Sequence, residues 1–140
     1  KKINLHNYKK IFETNFFSIL DLNFAFIKYF NKPKNSIYNI SSEVSINGSF
    51  NFPAYASSKA ALDNSTKSFS KIFSKINIYS LILPTLNTIF NRQRFKNNKK
   101  KLIELQNIFQ IFTKIMKDEN KIKSGKMIII KDEKNFKILQ

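Results

Sequence analysis

Apolar side chains recur at three- and four-residue steps along the first part of the chain. Between Tyr8 and Phe30 these positions are Ile11, Phe12, Phe16, Ile19, Leu20, Phe24, Ile27 and Phe30. This spacing is typical of a long helix with one buried stripe. Asn31 and Pro33 then interrupt the pattern, and we predict that the helix ends near Phe30.

Three strands and two more helices are predicted downstream from β-branched runs and from apolar residues at helical spacing. The strands are Ser36 to Ser42, Ile76 to Leu83 and Met127 to Ile130, and the helices are Ala54 to about Lys75 and Leu102 to about Met116. Thr85 to Asn98 has no clear period and is predicted as a loop, with or without short helices. The charged tail, residues 131–140, is expected to be solvated.

The alternation of helices and strands predicts an α/β fold with a parallel sheet and right-handed crossovers. A chain of 140 residues has room for one core, so residues 1–140 are expected to form a single unit. The chain starts at Lys1, inside what reads as a helix. We therefore expect it to be part of a longer polypeptide.

Composition excludes several kinds of site. The sequence has no cysteine and one histidine, His6, so disulfides, thiolate sites and multi-histidine metal sites are excluded, and no metal is expected. No apolar run approaches the roughly 20 residues that cross a bilayer, and no basic-then-apolar leader opens the chain. We expect a soluble, cytoplasmic protein without a membrane partner.

The formal charge of +16 at pH 7 raises the hypothesis of a nucleic-acid-binding module. Its positive residues are nearly all lysine, with only Arg92 and Arg94 from arginine, and they are spread along the chain among many Asn, Ile and Phe residues. These residue types share A/T-rich codons, so genome composition explains the charge at least as well. We expect no nucleic-acid partner.

Polar side chains cluster where the predicted strands end, which is where sites form in open parallel sheets. Ser41 and Ser42 end the first strand, Tyr55 and Lys59 begin the next helix, and the stretch after the second strand starts at Pro84. Tyr55 and Lys59 are four residues apart and share one helix face. A neighbouring ammonium favours the phenolate and makes a phenol with a pKa near 10 usable in proton transfer.

These residues resemble the short-chain dehydrogenase/reductase family. The similarity is carried by Asn39-Ile40-Ser41-Ser42, by the Tyr-x-x-x-Lys run from Tyr55 to Leu62, and by Thr14-Asn15 in the first helix. Ser42 precedes Tyr55 by thirteen residues and follows Asn15 by 27, as in that family. The resemblance implies a partial Rossmann-like, doubly wound sheet with long flanking helices, and an NAD(P)-dependent oxidoreductase.

The resemblance also implies a role for each catalytic candidate. Tyr55 is the general acid/base on the substrate oxygen, and Lys59 favours the Tyr55 phenolate and holds the nicotinamide ribose. Ser42 hydrogen-bonds the substrate oxygen, and Asn15 anchors a water that relays protons to Lys59. Ser41 is interpreted as a structural neighbour of the catalytic serine.

The cofactor implied is NAD or NADP, and the substrate a small carbonyl or alcohol compound. Besides Tyr55 and Lys59, the candidate cofactor contacts are Pro84, Thr85 and Thr88. These three resemble the family's Pro-Gly-x-x-x-Thr stretch, although Thr85 replaces the glycine and Thr88 falls one position early. Residues 85–101 are predicted to form the substrate loop.

Roughly the first half of the family's pattern is missing, because the resemblance covers only about Tyr8 to Lys131. The chain has two glycines, Gly48 and Gly125, and contains no glycine-rich turn that would cradle a pyrophosphate. An alternative is therefore a non-catalytic remnant that acts through its helices. The resemblance implies a homo-oligomer, a dimer or tetramer, through the Phe-rich helices of residues 11–30 and 62–76.

Overall fold

Four strands form one sheet in the order β1-β2-β3-β4 in the computed structural model, which describes residues 4–96, 102–132 and 134–139. The strands are β1 Ser36–Ser42, β2 Asn77–Leu83, β3 Met127–Ile130 and β4 Phe136–Leu139. The first three run parallel and the fourth antiparallel to β3. The predicted parallel sheet of three strands is thus confirmed.

Six α-helices accompany the sheet in the described residues. They are α1 Leu5–Phe12, α2 Ser18–Phe30, α3 Val44–Asn47, α4 Pro53–Ile72, α5 Ile89–Arg94 and α6 Leu105–Lys117. The predicted uninterrupted first helix is corrected, because α1 and α2 are joined by a π-helical segment, Glu13–Phe17. Pro53 occupies the first turn of α4, where its missing N–H costs nothing.

One other predicted boundary is corrected, and the loop after β2 contains a short helix, as the prediction allowed. Helix α6 begins at Leu105 instead of Leu102, because Ile103 pairs with Leu86 in an isolated parallel bridge. Short helix α5 lies in the stretch that showed no period. Residues 97–101 of the predicted substrate loop lie outside the described residues.

Strand β4 lies within the predicted charged tail and was not predicted. Asp132 Oδ1 accepts hydrogen bonds from the amide N–H groups of Lys134 and Asn135, which turns the chain back onto β3. The lysine side chains of the tail, Lys131, Lys134 and Lys137, are exposed as expected. The strand was missed because its lysines made the segment read as solvent-exposed.

Apolar residues of the sheet pack on both faces. Ile78 packs with Ile27 and Ile76 on the side of α2 and α4. On the other side, Tyr79 and Leu81 pack against α6 and the end of its connection to β3. Strand β2 is thus buried on both faces, as its continuous apolar run predicts.

A buried polar chain joins two helices to β1. Asn23 of α2 donates from Nδ2 to Asn39 Oδ1 at 3.1 Å, and Asn39 Nδ2 donates to Thr66 Oγ1 of α4 at 2.9 Å. All three residues are buried. Because each buried polar atom needs a hydrogen-bond partner, these two hydrogen bonds fix the position of β1 beneath the two helices.

Glu119 accepts hydrogen bonds at the amino ends of β1 and β2, the end of the sheet opposite Ser42. Its carboxylate accepts hydrogen bonds from Ser36 Oγ, Tyr38 OH and Asn77 Nδ2. Burial and the bond to Glu119 together raise the pKa of Tyr38 well above its usual range. Burial, with a smaller contribution from Glu119, raises the pKa of Tyr79 to about 12.

No described helix is both long and apolar enough to cross a membrane.

Gly125 is required where the connection to β3 meets α4, because its φ is +87° and an added Cβ would collide with Ser70 Oγ. We expect Gly125→Ala to lower the free energy of unfolding by about 2 kcal/mol, from backbone strain and overpacking. Adding Ser70→Ala should recover part of this loss, as measured by urea unfolding of the single and double variants. An unchanged cost in the double variant would show that Ser70 does not limit this position.

Candidate active site

The carboxyl ends of β1 and β2 lie side by side, because the two strands are parallel and in register from Ser36 opposite Asn77 to Ser42 opposite Leu83. The loop after β1 leads through α3 to α4, which packs back on both strands. This path returns Tyr55, in the first turn of α4, to the edge of the sheet where Ser42 ends β1.

Tyr55 and Lys59 share one face of α4. Lys59 Nζ lies 5.9 Å from the centroid of the Tyr55 ring. It also donates a hydrogen bond of 2.7 Å to the main-chain oxygen of Ile40, two residues before Ser42. The ammonium group is therefore fixed between the phenol and the end of β1.

Electrostatics at Lys59 are set by two opposing effects. Burial lowers the pKa of its ammonium, since a charged group is poorly solvated there, and the Asp63 carboxylate opposes that effect. The lowering is the larger effect. Lys59 is thus a cation held in a setting that is unfavourable for charge, a property that clusters at functional sites.

Ser41 and Ser42 point to opposite faces of β1, as successive strand residues do. Ser41 is buried and its Oγ donates to Asp63 Oδ2 at 2.9 Å. Ser42 is only partly buried. This geometry gives Ser41 a structural hydrogen bond and leaves Ser42 as the hydroxyl at the strand end.

Asn15 lies in the π-helical segment, which also packs against α4. Its Nδ2 makes a long hydrogen bond of 3.4 Å to Ser58 Oγ, and Ser58 Oγ donates to the Tyr55 main-chain oxygen at 2.8 Å. Asn15 is thereby tied to the turn of α4 that carries Tyr55 and Lys59. π-Helical turns of this kind are frequent at functional sites.

Two of the candidate cofactor contacts after β2 form hydrogen bonds with other residues of this chain. Thr85 Oγ1 donates to Glu43 Oε1 at 3.2 Å, and Thr88 Oγ1 accepts from the Asn91 amide as the N-cap of α5. Pro84 directly follows β2. Pro84 and Thr85 thus directly follow the carboxyl end of β2, and Thr88 caps the next helix.

Two clefts adjoin the site without including Tyr55 or Lys59. One of about 310 Å³ lies at the carboxyl ends of β2 and β3 and contacts Glu43 and Pro84. The other, of about 380 Å³, lies between α4 and β3 and contacts Asp63 and Lys67. Asn15, Ser42, Tyr55 and Lys59 themselves are each partly exposed, so small molecules can reach them.

Two features of the site were missed from the sequence. Asp63 follows Lys59 by one helical turn, a spacing that was visible but unremarked. Arg94 of α5 stacks its guanidinium 3.6 Å from the centroid of the Phe52 ring, directly before α4. That contact joins the loop after β2 to the start of the Tyr55 helix, and no local pattern predicts it.

A family model described as short chain dehydrogenase matches residues 1–99, more than half of the 140 residues. The chain therefore belongs to the short-chain dehydrogenase family. This confirms the resemblance carried by Asn15, Ser42, Tyr55 and Lys59, all of which lie inside the matched part. A comparison with curated proteins finds no significant match.

Solved structures share the fold at low identity. A short chain dehydrogenase/reductase family protein superposes with a TM-score of 0.81 and 17% identity, over 95% of this chain and 59% of that one. The oxidoreductase yciK from E. coli superposes with a TM-score of 0.77 and 20% identity, over 96% of this chain and 55% of that one. A 4-hydroxyisoleucine dehydrogenase mutant complexed with NADH and succinate superposes with a TM-score of 0.76 and 22% identity, over 88% of this chain and 57% of that one. The chain thus spans little more than half the length of these structures and shares their Rossmann-like fold.

The tether between Asn15 and α4 is testable by stability. Ser58→Ala removes a fully buried hydroxyl and should lower the free energy of unfolding by about 1 kcal/mol, whereas Ser57→Ala, at an exposed position, should have almost no effect. In a double-mutant cycle with Asn15→Ala, the two losses should be less than additive because they share one hydrogen bond. Equal stability of the two serine variants, or strict additivity in the cycle, would argue against the tether.

Proposed function

We propose that this chain supplies the catalytic residues of an NAD(P)-dependent oxidoreductase that acts on a small carbonyl or alcohol compound. The observation that carries the proposal is the Lys59 ammonium, held 2.7 Å from the Ile40 oxygen and 5.9 Å from the Tyr55 ring centroid. It places a cation beside the phenol at the end of the strand that carries Ser42. Membership of the short-chain dehydrogenase family supports oxidoreductase chemistry.

The residues present fit the nicotinamide end of the cofactor. One hydrogen bond of Lys59 goes to Ile40, and an ammonium has three donors, so two remain for ribose hydroxyl groups. Thr85 lies two residues after the carboxyl end of β2 and Thr88 caps the following helix, α5, and both are proposed as further cofactor contacts. When bound, the nicotinamide supplies or accepts the hydride.

Pyrophosphate binding has no basis in this chain. Gly48 and Gly125 are its only glycines, and neither belongs to a glycine-rich turn between a strand and a helix. The proposed activity therefore belongs to a polypeptide in which a further segment contributes the phosphate cradle. This chain spans 59% and 55% of two of the solved structures. These shares agree with a further segment that contributes the phosphate cradle.

In the reducing direction, Tyr55 donates its hydroxyl proton to the substrate oxygen. Ser42 donates a second hydrogen bond to that oxygen and stabilises its developing charge. Lys59 favours the phenolate that Tyr55 becomes, because an ammonium stabilises a neighbouring anion. Lys59 then passes a proton back to the Tyr55 phenolate, and a water anchored by Asn15 replaces the proton that Lys59 has given up. In the oxidising direction each transfer runs in reverse.

The substrate region is proposed to lie between the loop before α4 and residues 85–96. Arg94 joins these two segments through its contact with Phe52. Phe50, Ile89 and Phe90 are exposed apolar side chains on the same two segments. This surface suits a compound with an apolar part.

A second candidate is a non-catalytic remnant that associates through its helices. Large apolar residues on α2 are exposed by 47% to 66%: Leu22, Phe24, Tyr29 and Phe30. Exposed apolar surface of this kind favours association with another copy. We propose a homo-oligomer through α2 and α4 in either case, so association without cofactor binding would favour the remnant.

The proposal is tested on the complete polypeptide that contains this chain, by fluorescence titration of NADH and NADPH and by turnover of a carbonyl panel. Tyr55→Phe should leave cofactor binding nearly unchanged and lower turnover about a hundred- to ten-thousandfold, because the proton donor is lost. Tyr8→Phe, at a partly buried position of α1 outside the proposed association surface, is the matched control and should match wild type. Absence of cofactor binding, or equal turnover by both variants, would overturn the proposal.

A further inference from the structure

Asp63 is a buried carboxylate that the proposed proton transfer does not use. Its exposed fraction is 4%. Oδ2 accepts one hydrogen bond, from Ser41 Oγ, and Oδ1 is buried without a hydrogen-bond partner among the described residues. A half-satisfied buried carboxylate is costly unless a positive charge lies near it.

Lys59 is the cation one helical turn before it. The Lys59 side chain is partly buried and its pKa is lowered by that burial, with Asp63 acting in the opposite direction. Its hydrogen bond goes to the neutral Ile40 oxygen, which does not balance its charge. Asp63 therefore lies one turn after Lys59 on the same face of α4, and its carboxylate stabilises the Lys59 ammonium.

The two groups also hold consecutive residues of β1. Lys59 donates to the Ile40 oxygen at 2.7 Å, and Asp63 accepts from Ser41 Oγ at 2.9 Å. The next residue along the strand is Ser42. One turn of α4 thus fixes the strand immediately before the candidate catalytic hydroxyl.

We propose that Asp63 is a positioning residue: it is the counter-ion of Lys59 and, through Ser41, it aligns the end of β1 with the Tyr55–Lys59 face of α4. Lys59 and Asp63 are not joined by a direct ion pair, so the remaining ammonium protons stay available to a ligand. The part that Asp63 plays in proton transfer rests on the proposed function. The pairing itself does not.

Other charged groups near α4 are placed less favourably for this role. On α1 and the π-helical segment, His6, Lys9, Lys10 and Glu13 are exposed. Tyr38 and Tyr79 point to the α6 face of the sheet. Lys67 lines a cleft with Asp63 but is exposed, and Glu43 accepts a hydrogen bond from Thr85. Glu43 is therefore a suitable control carboxylate.

The test is the titration midpoint of Lys59, followed by the ¹³Cε resonance in a lysine-labelled chain. Asp63→Asn should lower the midpoint by about one pH unit, because a stabilising charge is lost while the side-chain shape is kept. Glu43→Gln removes a carboxylate that does not face Lys59 and should displace the midpoint far less. An unchanged midpoint in Asp63→Asn, or an equal displacement in Glu43→Gln, would overturn the inference.

A second measurement on the unsubstituted chain guards against a variant that fails to fold. The Asp63 carboxyl ¹³Cγ resonance should shift with the same midpoint as Lys59, and this shift should be absent in Lys59→Met. Independent behaviour of the two resonances in the wild-type chain would contradict the pairing. Because neither measurement uses a cofactor, the pairing can stand while the oxidoreductase proposal fails, and the reverse.

Discussion

The buried hydrogen bonds of Asn39 are the constraint on which the site depends. Asn39 accepts from Asn23 on α2 and donates to Thr66 on α4, and all three side chains are buried. Sliding β1 by one residue would turn Asn39 to the other face and leave two buried amides without partners, at a cost of several kcal/mol. The strand therefore has one register relative to both helices.

That register determines which residues of β1 meet α4. With Asn39 fixed, the Ile40 oxygen reaches Lys59 and Ser41 reaches Asp63. Ser42 then ends the strand beside Leu83 of β2. At the other end of the sheet, Glu119 accepts from residues of both strands. Alignment at the amino ends thus supports alignment at the carboxyl ends, where the chemistry is proposed.

The site also holds charge in a poorly solvated place. Burial lowers the pKa of Lys59 because it disfavours the ammonium, and the Asp63 carboxylate opposes that effect. Apolar packing elsewhere in the fold offsets this unfavourable burial of charge. Ile78, Tyr79 and Leu81 pack on the two faces of β2. A polar, partly exposed edge on an apolar sheet is the arrangement expected where a functional site forms.

Sequence reasoning identified the elements and the Tyr55–Lys59 face because periodicity and helical spacing are local properties. The strand β4 was missed because its lysines made the segment read as solvent-exposed, although Asp132 and Asn135 carried a turn signal. The π-helical segment around Asn15 was missed because no residue pattern marks it. Asn39 and Asp63 were missed as structural groups because their partners lie 22 to 27 residues away in sequence, at Thr66 and Ser41.

Deuterium transfer tests the central claim most directly. The complete polypeptide containing this chain would be incubated with a carbonyl compound and NADH or NADPH deuterated at nicotinamide C4, on each face in turn. The account predicts an alcohol that carries one deuterium at the former carbonyl carbon from one of the two faces, and none when the only deuterium is in the solvent. Alcohol whose new hydrogen at carbon comes from solvent, or from neither labelled face, would contradict it.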